Sequence, residues 1–119
     1  MKDNILIQMI KISVGAGEEV MEVVSKALKK KGIRDGAIVA VIGAVDECCI
    51  SSMPKADAKK NILKEYKESL EMSGTGEVKE GKPHIHCTMG KEGNVAVSGH
   101  LHWAKVKNWF VNVYVIPAV

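Results

Sequence analysis

Pro83-His84-Ile85-His86-Cys87-Thr88-Met89-Gly90-Lys91-Glu92-Gly93-Asn94-Val95-Ala96-Val97-Ser98-Gly99-His100-Leu101-His102 holds all four histidines of a 119-residue chain. Residues 83–90 and 95–106 alternate or run apolar. The polar break Lys91-Glu92-Gly93-Asn94 between them, with its glycine, reads as a hairpin turn. Residues two apart in a strand share a face, so His84 projects with His86 and His100 with His102. A register that sets His86 opposite His100 places both pairs on one face of the hairpin. Cross-strand neighbours there have Cβ atoms about 4.5–5.5 Å apart, close enough for three imidazoles to converge on one divalent ion. The competing reading makes these histidines polar residues of a solvated sheet face, or core histidines satisfied by backbone groups. Cys87 points to the opposite face and reads as core.

The same stretch resembles the plant and prokaryote conserved (PPC) domain family, whose pattern is an "hlH" strand followed by "G(G)HL". Here it stands as Pro-His-Ile-His, a glycine-containing turn, Val-Ser-Gly-His-Leu and an apolar terminal strand. The amino-terminal half agrees: Val14-Gly15-Ala16-Gly17-Glu18-Glu19-Val20 is similar to the family's "pGe-v" helix opening. Gly32-Ile33 through Ile42-Gly43-Ala44-Val45 resembles its "gi...iGAv" strand. The resemblance covers nearly the whole chain and is weakest between about residues 54 and 80. Ser98 stands where the family usually has the first of two glycines, and His102 is a histidine the pattern does not require. The resemblance implies a homotrimer, an architecture like that of the acetolactate decarboxylases, and an ion, zinc by its ligand type, held by His84, His86 and His100.

Length and composition set bounds. At 119 residues and 12.9 kDa the chain is expected to form one domain, residues 1–119, small enough for burial between subunits to help it. Hydrophobic residues make up 46% with a mean hydropathy of +0.01, and no apolar run approaches the roughly 20 residues of a membrane span. Met1-Lys2-Asp3-Asn4 followed by Ile5-Leu6-Ile7 lacks a signal-peptide pattern. Three cysteines, with no CxxC pair, give no even disulfide framework and fit a reducing cytoplasm. These features predict a soluble cytoplasmic protein with no membrane partner.

The net charge is +3 with pI about 8.7, but among 17 basic residues only Arg34 is arginine. Arginine supplies most bidentate guanine contacts and minor-groove insertions. Lys29, Lys30 and Lys31 close a helix, where they complement its negative dipole end. Plant members of the resembled family carry a separate AT-hook with an Arg-Gly-Arg-Pro core, and no such motif occurs here. Any duplex DNA affinity is therefore expected to be weak, indifferent to sequence and lost as salt rises.

Along the chain, Asn4 to Ser13 reads as a central strand covered on both faces, through Ile5, Leu6, Ile7, Met9, Ile10 and Ile12. From Glu18 the spacing Val20, Val23, Val24, Ala27, Leu28 predicts an amphipathic helix, with acidic residues in its first turn and Gly32 after it. Residues 37–45 read as a strand, with Gly43 marking a bulge or a close backbone approach, and 48–53 as a further short strand ended by Pro54. Within 57–72, Ile62, Leu63, Tyr66 and Leu70 follow helical spacing. The resemblance instead implies strands there, one ending near Tyr66 and one from Ser69 to Val78, and this is the reading adopted. Trp109 to Ile116 predicts a last strand stopped by Pro117. One helix among many strands makes an α+β domain with a mostly antiparallel sheet.

Two functions follow. One is a metal-binding homotrimer acting as an assembly or regulatory module, with other proteins or a small-molecule ligand as further partners and Trp103, Trp109 and Phe110 as a candidate contact surface. The other is a metal-dependent lyase or hydrolase, because three protein ligands with an open fourth position is the arrangement of catalytic zinc. Glu71 and Glu77 are candidate acids or bases if their strand neighbours the hairpin.

Overall fold

The structure, a computed structural model, describes residues 8–119. Its elements run β1 (Ile10–Val14), α1 (Val20–Lys31), β2 (Gly36–Ser52), β3 (Ile62–Lys79), β4 (Lys82–Lys91), β5 (Val95–Lys105) and β6 (Val111–Pro117). The strands form one sheet in the order β1-β6-β2-β3-β4-β5, and every pairing among them is antiparallel. This is the α+β class that one amphipathic helix among β-rich runs predicts.

The helix forms where its apolar stripe and caps agree. Val20, Val24 and Leu28, four residues apart, are fully buried, and each buried side chain of this size contributes about 1.5–3 kcal/mol. Glu19 is the N-cap, its carboxylate accepting from the backbone N–H groups of Met21 and Glu22. Gly32 ends the helix in the left-handed region at φ 67°. The Glu19 carboxylate also accepts from the Ala104 N–H at 2.9 Å, which ties the start of α1 to β5.

Strand β2 organises the sheet. It pairs with β3 along one edge, and along the other with β6 over Gly36–Gly43 and then β5 over Glu47–Ser51. Because β5 also pairs with β4, the strands β2, β3, β4 and β5 close into a circuit, and from β3, β4 and β5 Leu70, Met72, Ile85, Met89 and Leu101 enter the core that α1 also packs into. The two strands expected at 37–45 and 48–53 are one. Asp46-Glu47, which looks like a polar interruption, sits at a register shift that keeps the strand continuous. Asp46 accepts there from the N–H groups of Lys107 and Asn108, fixing the turn before β6. At Gly43 the close-approach alternative is the correct one, since a Cβ would collide with the Phe110 carbonyl.

Two further expectations are corrected. The first strand is not central: among the described residues β1 ends the sheet, pairs only with β6, and alternates Ile12 and Val14 inward with Lys11 and Ser13 outward. The apolar Ile5, Leu6 and Ile7 that suggested double coverage lie outside the described residues. Between 57 and 79 a single strand replaces the two that the resemblance implied. The helical spacing of Ile62, Leu63, Tyr66 and Leu70 is coincidental, because Ile62 and Leu63 stay exposed while burial begins at Leu70 and follows period two through Met72.

Candidate metal centre

The turn Glu92-Gly93-Asn94, with Gly93 and Asn94 at positive φ, joins β4 to β5 and sets the register of the hairpin. Gly90 pairs with Ala96, Thr88 with Ser98, and His86 with His100. On β4, Ile85, Cys87 and Met89 face the core, so His84, His86 and Thr88 face outward. The core-side position of Cys87 agrees with the sequence, and burial pushes its thiol up to about 11, which keeps it protonated and inert.

The outward face is a grid of three adjoining rows. Glu77 of β3 lies opposite His84; Thr75 lies opposite His86, which lies opposite His100; and Ser73 lies opposite Thr88, which lies opposite Ser98. The rings of His84 and His86 are 4.9 Å apart, those of His84 and His100 4.8 Å, and those of His86 and His100 5.9 Å, all edge to face. One ligand nitrogen from each of the three lies within 4.8 Å of the others. Nitrogens sharing a tetrahedral ion at about 2.0–2.1 Å sit roughly 3.4 Å apart, so the rings need only turn toward each other by about an ångström. His84 and His86 are exposed and His100 is half-buried, so the fourth direction faces solvent. The donor set therefore fits a borderline divalent metal with an open coordination position.

His102 is placed differently. At the register shift on β5, Trp103 pairs with Cys49 and Leu101 with Ile50, leaving His102 as the extra residue of a bulge. Two residues on from His100, His102 keeps the same side of the strand, with ring centroids 4.8 Å apart. Its Nε2 shares a 2.7 Å hydrogen bond with the hydroxyl of Ser51, a buried serine directly opposite His100 on β2. Partial burial, reinforced by the neighbouring His102, His84 and His86, holds the pKa of His100 below the usual histidine value.

Glu77 meets the condition set for a candidate acid or base, being the cross-strand neighbour of His84. Glu71, on the same strand, meets it too, but it pairs with Gly90 beyond the hydroxyl row, away from the histidines. Sequence reasoning missed Ser51 and Thr75. Ser51 reaches the histidines only through the long-range β2–β5 pairing, which leaves no local signal. Gly99 carries that pairing: a Cβ there would strike the Ser51 carbonyl, so only glycine lets β5 lie this close to β2 just before His100.

An antiparallel α+β domain with three clustered histidines on its outer face is the class that this fold and site define. The chain belongs to the Plants and Prokaryotes Conserved (PCC) domain family, whose model matches residues 6–118. A metal-containing protein from Archaeoglobus fulgidus superposes with a TM-score of 0.80 at 31% identity, covering 98% of this chain and 85% of that one. A plant- and prokaryote-conserved protein from Pyrococcus horikoshii gives 0.81 at 24% identity, covering 100% and 86%. A Bacteroides thetaiotaomicron protein described as a candidate DNA-binding protein gives 0.77 at 24%, covering 92% and 77%. The last two show likeness of fold. No curated protein matches the chain.

Proposed function

We propose that the chain is a stand-alone, homotrimeric cytoplasmic domain that holds one zinc ion through His84, His86 and His100 and acts as a binding or regulatory module. The observation that carries this is the convergence of three imidazoles on one outward patch of a rigid hairpin. Three neutral nitrogens on adjacent strands suit zinc better than the hard cations, which take oxygen ligands. The description of the Archaeoglobus relative as metal-containing supports the same reading. Trimerisation draws support from apolar side chains left outside the core: Trp109 and Phe110 before β6, and Val39 and Ile42 on the adjoining stretch of β2. No helix among the described residues is long and apolar enough to cross a membrane.

Glu77 favours a second reading, a metal-dependent lyase or hydrolase. Glu77 is the cross-strand neighbour of His84 on the outward face, a position from which a carboxylate would accept a proton from a ligand polarised at the site. The ion, when bound, supplies Lewis acidity; Glu77 supplies the base; and His84, His86 and His100 fix the geometry.

The test is metal content of protein purified without chelators. About one zinc per chain is expected, lost in His86→Ala while the circular dichroism spectrum is kept, since an exposed sheet-face histidine adds little to the core. Full metal in that variant, or none in the parent at neutral pH, defeats the reading.

A further inference from the structure

The chain's surplus charge is not spread over its surface. Residues Met53–Lys67 carry Lys55, Lys59, Lys60, Lys64 and Lys67 against Asp57 and Glu65, a surplus of three, which equals the +3 of the whole chain. Everything outside this segment is balanced. From Ser52 to Ser69 no residue is buried. Strand β3 is covered by β4 only from Glu71 to Lys79, so its Ile62–Lys67 half pairs with β2 on one side and has an open edge on the other. The loop 53–61 joins β2 to this open-edged half of β3 and is held in shape: the Asp57 N–H donates to the Pro54 carbonyl at 3.2 Å, and the Lys59 N–H to the Asp57 side chain at 3.0 Å. The molecule measures 54 × 37 × 25 Å with a radius of gyration of 15.3 Å, against about 13.5 Å for a compact domain of this length.

We propose that this arm, residues 53–67, is a polyanion-binding element that lies along the phosphate backbone of duplex nucleic acid. Flexible lysines on the exposed loop 53–61 and on the open outer edge of β3 can meet phosphates without obstruction from a neighbouring strand. Met53, Ile62 and Leu63, exposed where the loop joins the strands, are apolar side chains of the kind that press between base steps when proteins bend DNA. Ile62 and Leu63 point to opposite faces, so the arm offers no continuous apolar side for a lipid interface, and nucleic acid is the better fit. With no arginine on the arm, binding is indifferent to sequence. The inference stands on the placement of charge and not on the histidines, so it and the metal reading fail separately.

The test compares the parent with two triple variants of equal charge change: Lys59→Gln/Lys60→Gln/Lys64→Gln on the arm, and Lys29→Gln/Lys30→Gln/Lys31→Gln at the end of α1. Fluorescence anisotropy follows their binding to short labelled duplexes of unrelated sequence. For about four phosphate contacts, the parent should lose roughly a hundredfold in affinity between about 50 and about 200 mM salt. The arm variant should bind at least about tenfold more weakly at low salt, with a log–log salt slope shallower by about 2–3. The α1 variant should stay within about twofold of the parent at low salt, and Lys60→Gln alone should give a smaller graded loss. Equal losses in both triple variants would overturn the assignment, as would a parent that binds no duplex at low salt. So would arm-dependent binding of phosphatidylserine-containing vesicles without arm-dependent binding of DNA.

Discussion

The hydroxyl of Ser51 separates His102 from its three neighbours. His84, His86 and His100 present nitrogens to one another, whereas the Nε2 of His102 is engaged by a buried serine. His102→Ala should therefore keep a full complement of metal. It should also lower stability by about 1–2 kcal/mol, because it leaves the Ser51 hydroxyl without its partner. Denaturant unfolding beside metal analysis checks both halves, and a variant that loses the ion would make His102 a ligand. The resemblance set His102 apart because the family pattern lacks it. The structure adds a physical role, the hydrogen bond at the β5 bulge, that no local sequence pattern signals.

At the scale of the element, the β4–β5 hairpin ties binding and folding to protonation. Only neutral imidazoles act as ligands, so metal affinity should fall as pH drops through about 6.5, the histidine reference value. For the metal-free protein the sign follows from His100. Its folded pKa is depressed, so the folded state binds fewer protons than the unfolded one below the reference value. The stability it contributes is present above about 6.5 and is lost as pH falls from there through the lower folded value. Thermal melts of chelator-treated protein across this range should show falling midpoints toward acid, and a His100→Gln variant should flatten that part of the profile. A profile unchanged by His100→Gln would count against the placement of His100. The hairpin was legible in the sequence because alternation, turn chemistry and the spacing of His84 and His86 are all local. Strand β3 was ambiguous because Ile62 and Leu63 mimic a helical stripe yet find no core to enter. The continuity of β2 was hidden because Asp46 and Glu47 look like a break unless the partner strands are known. Strand β1 was misplaced because an apolar segment says that a strand exists, not which neighbours it has.

For the whole molecule, the family resemblance and the exposed Ile42, Trp109 and Phe110 both favour assembly. Light scattering at micromolar concentration should give three times the 12.9 kDa chain mass, and a value near one chain would contradict the trimer. Ile42→Glu with Phe110→Glu should shift the mass toward the monomer if those side chains line the contact. The central claim remains the ion. Its most direct measurement is anomalous diffraction at the zinc edge from crystals of the protein purified without chelators. The account predicts one peak per chain at about 2.0–2.1 Å from a nitrogen of each of His84, His86 and His100. Absence of a peak there, or a peak held by His102 in place of any of the three, would contradict it.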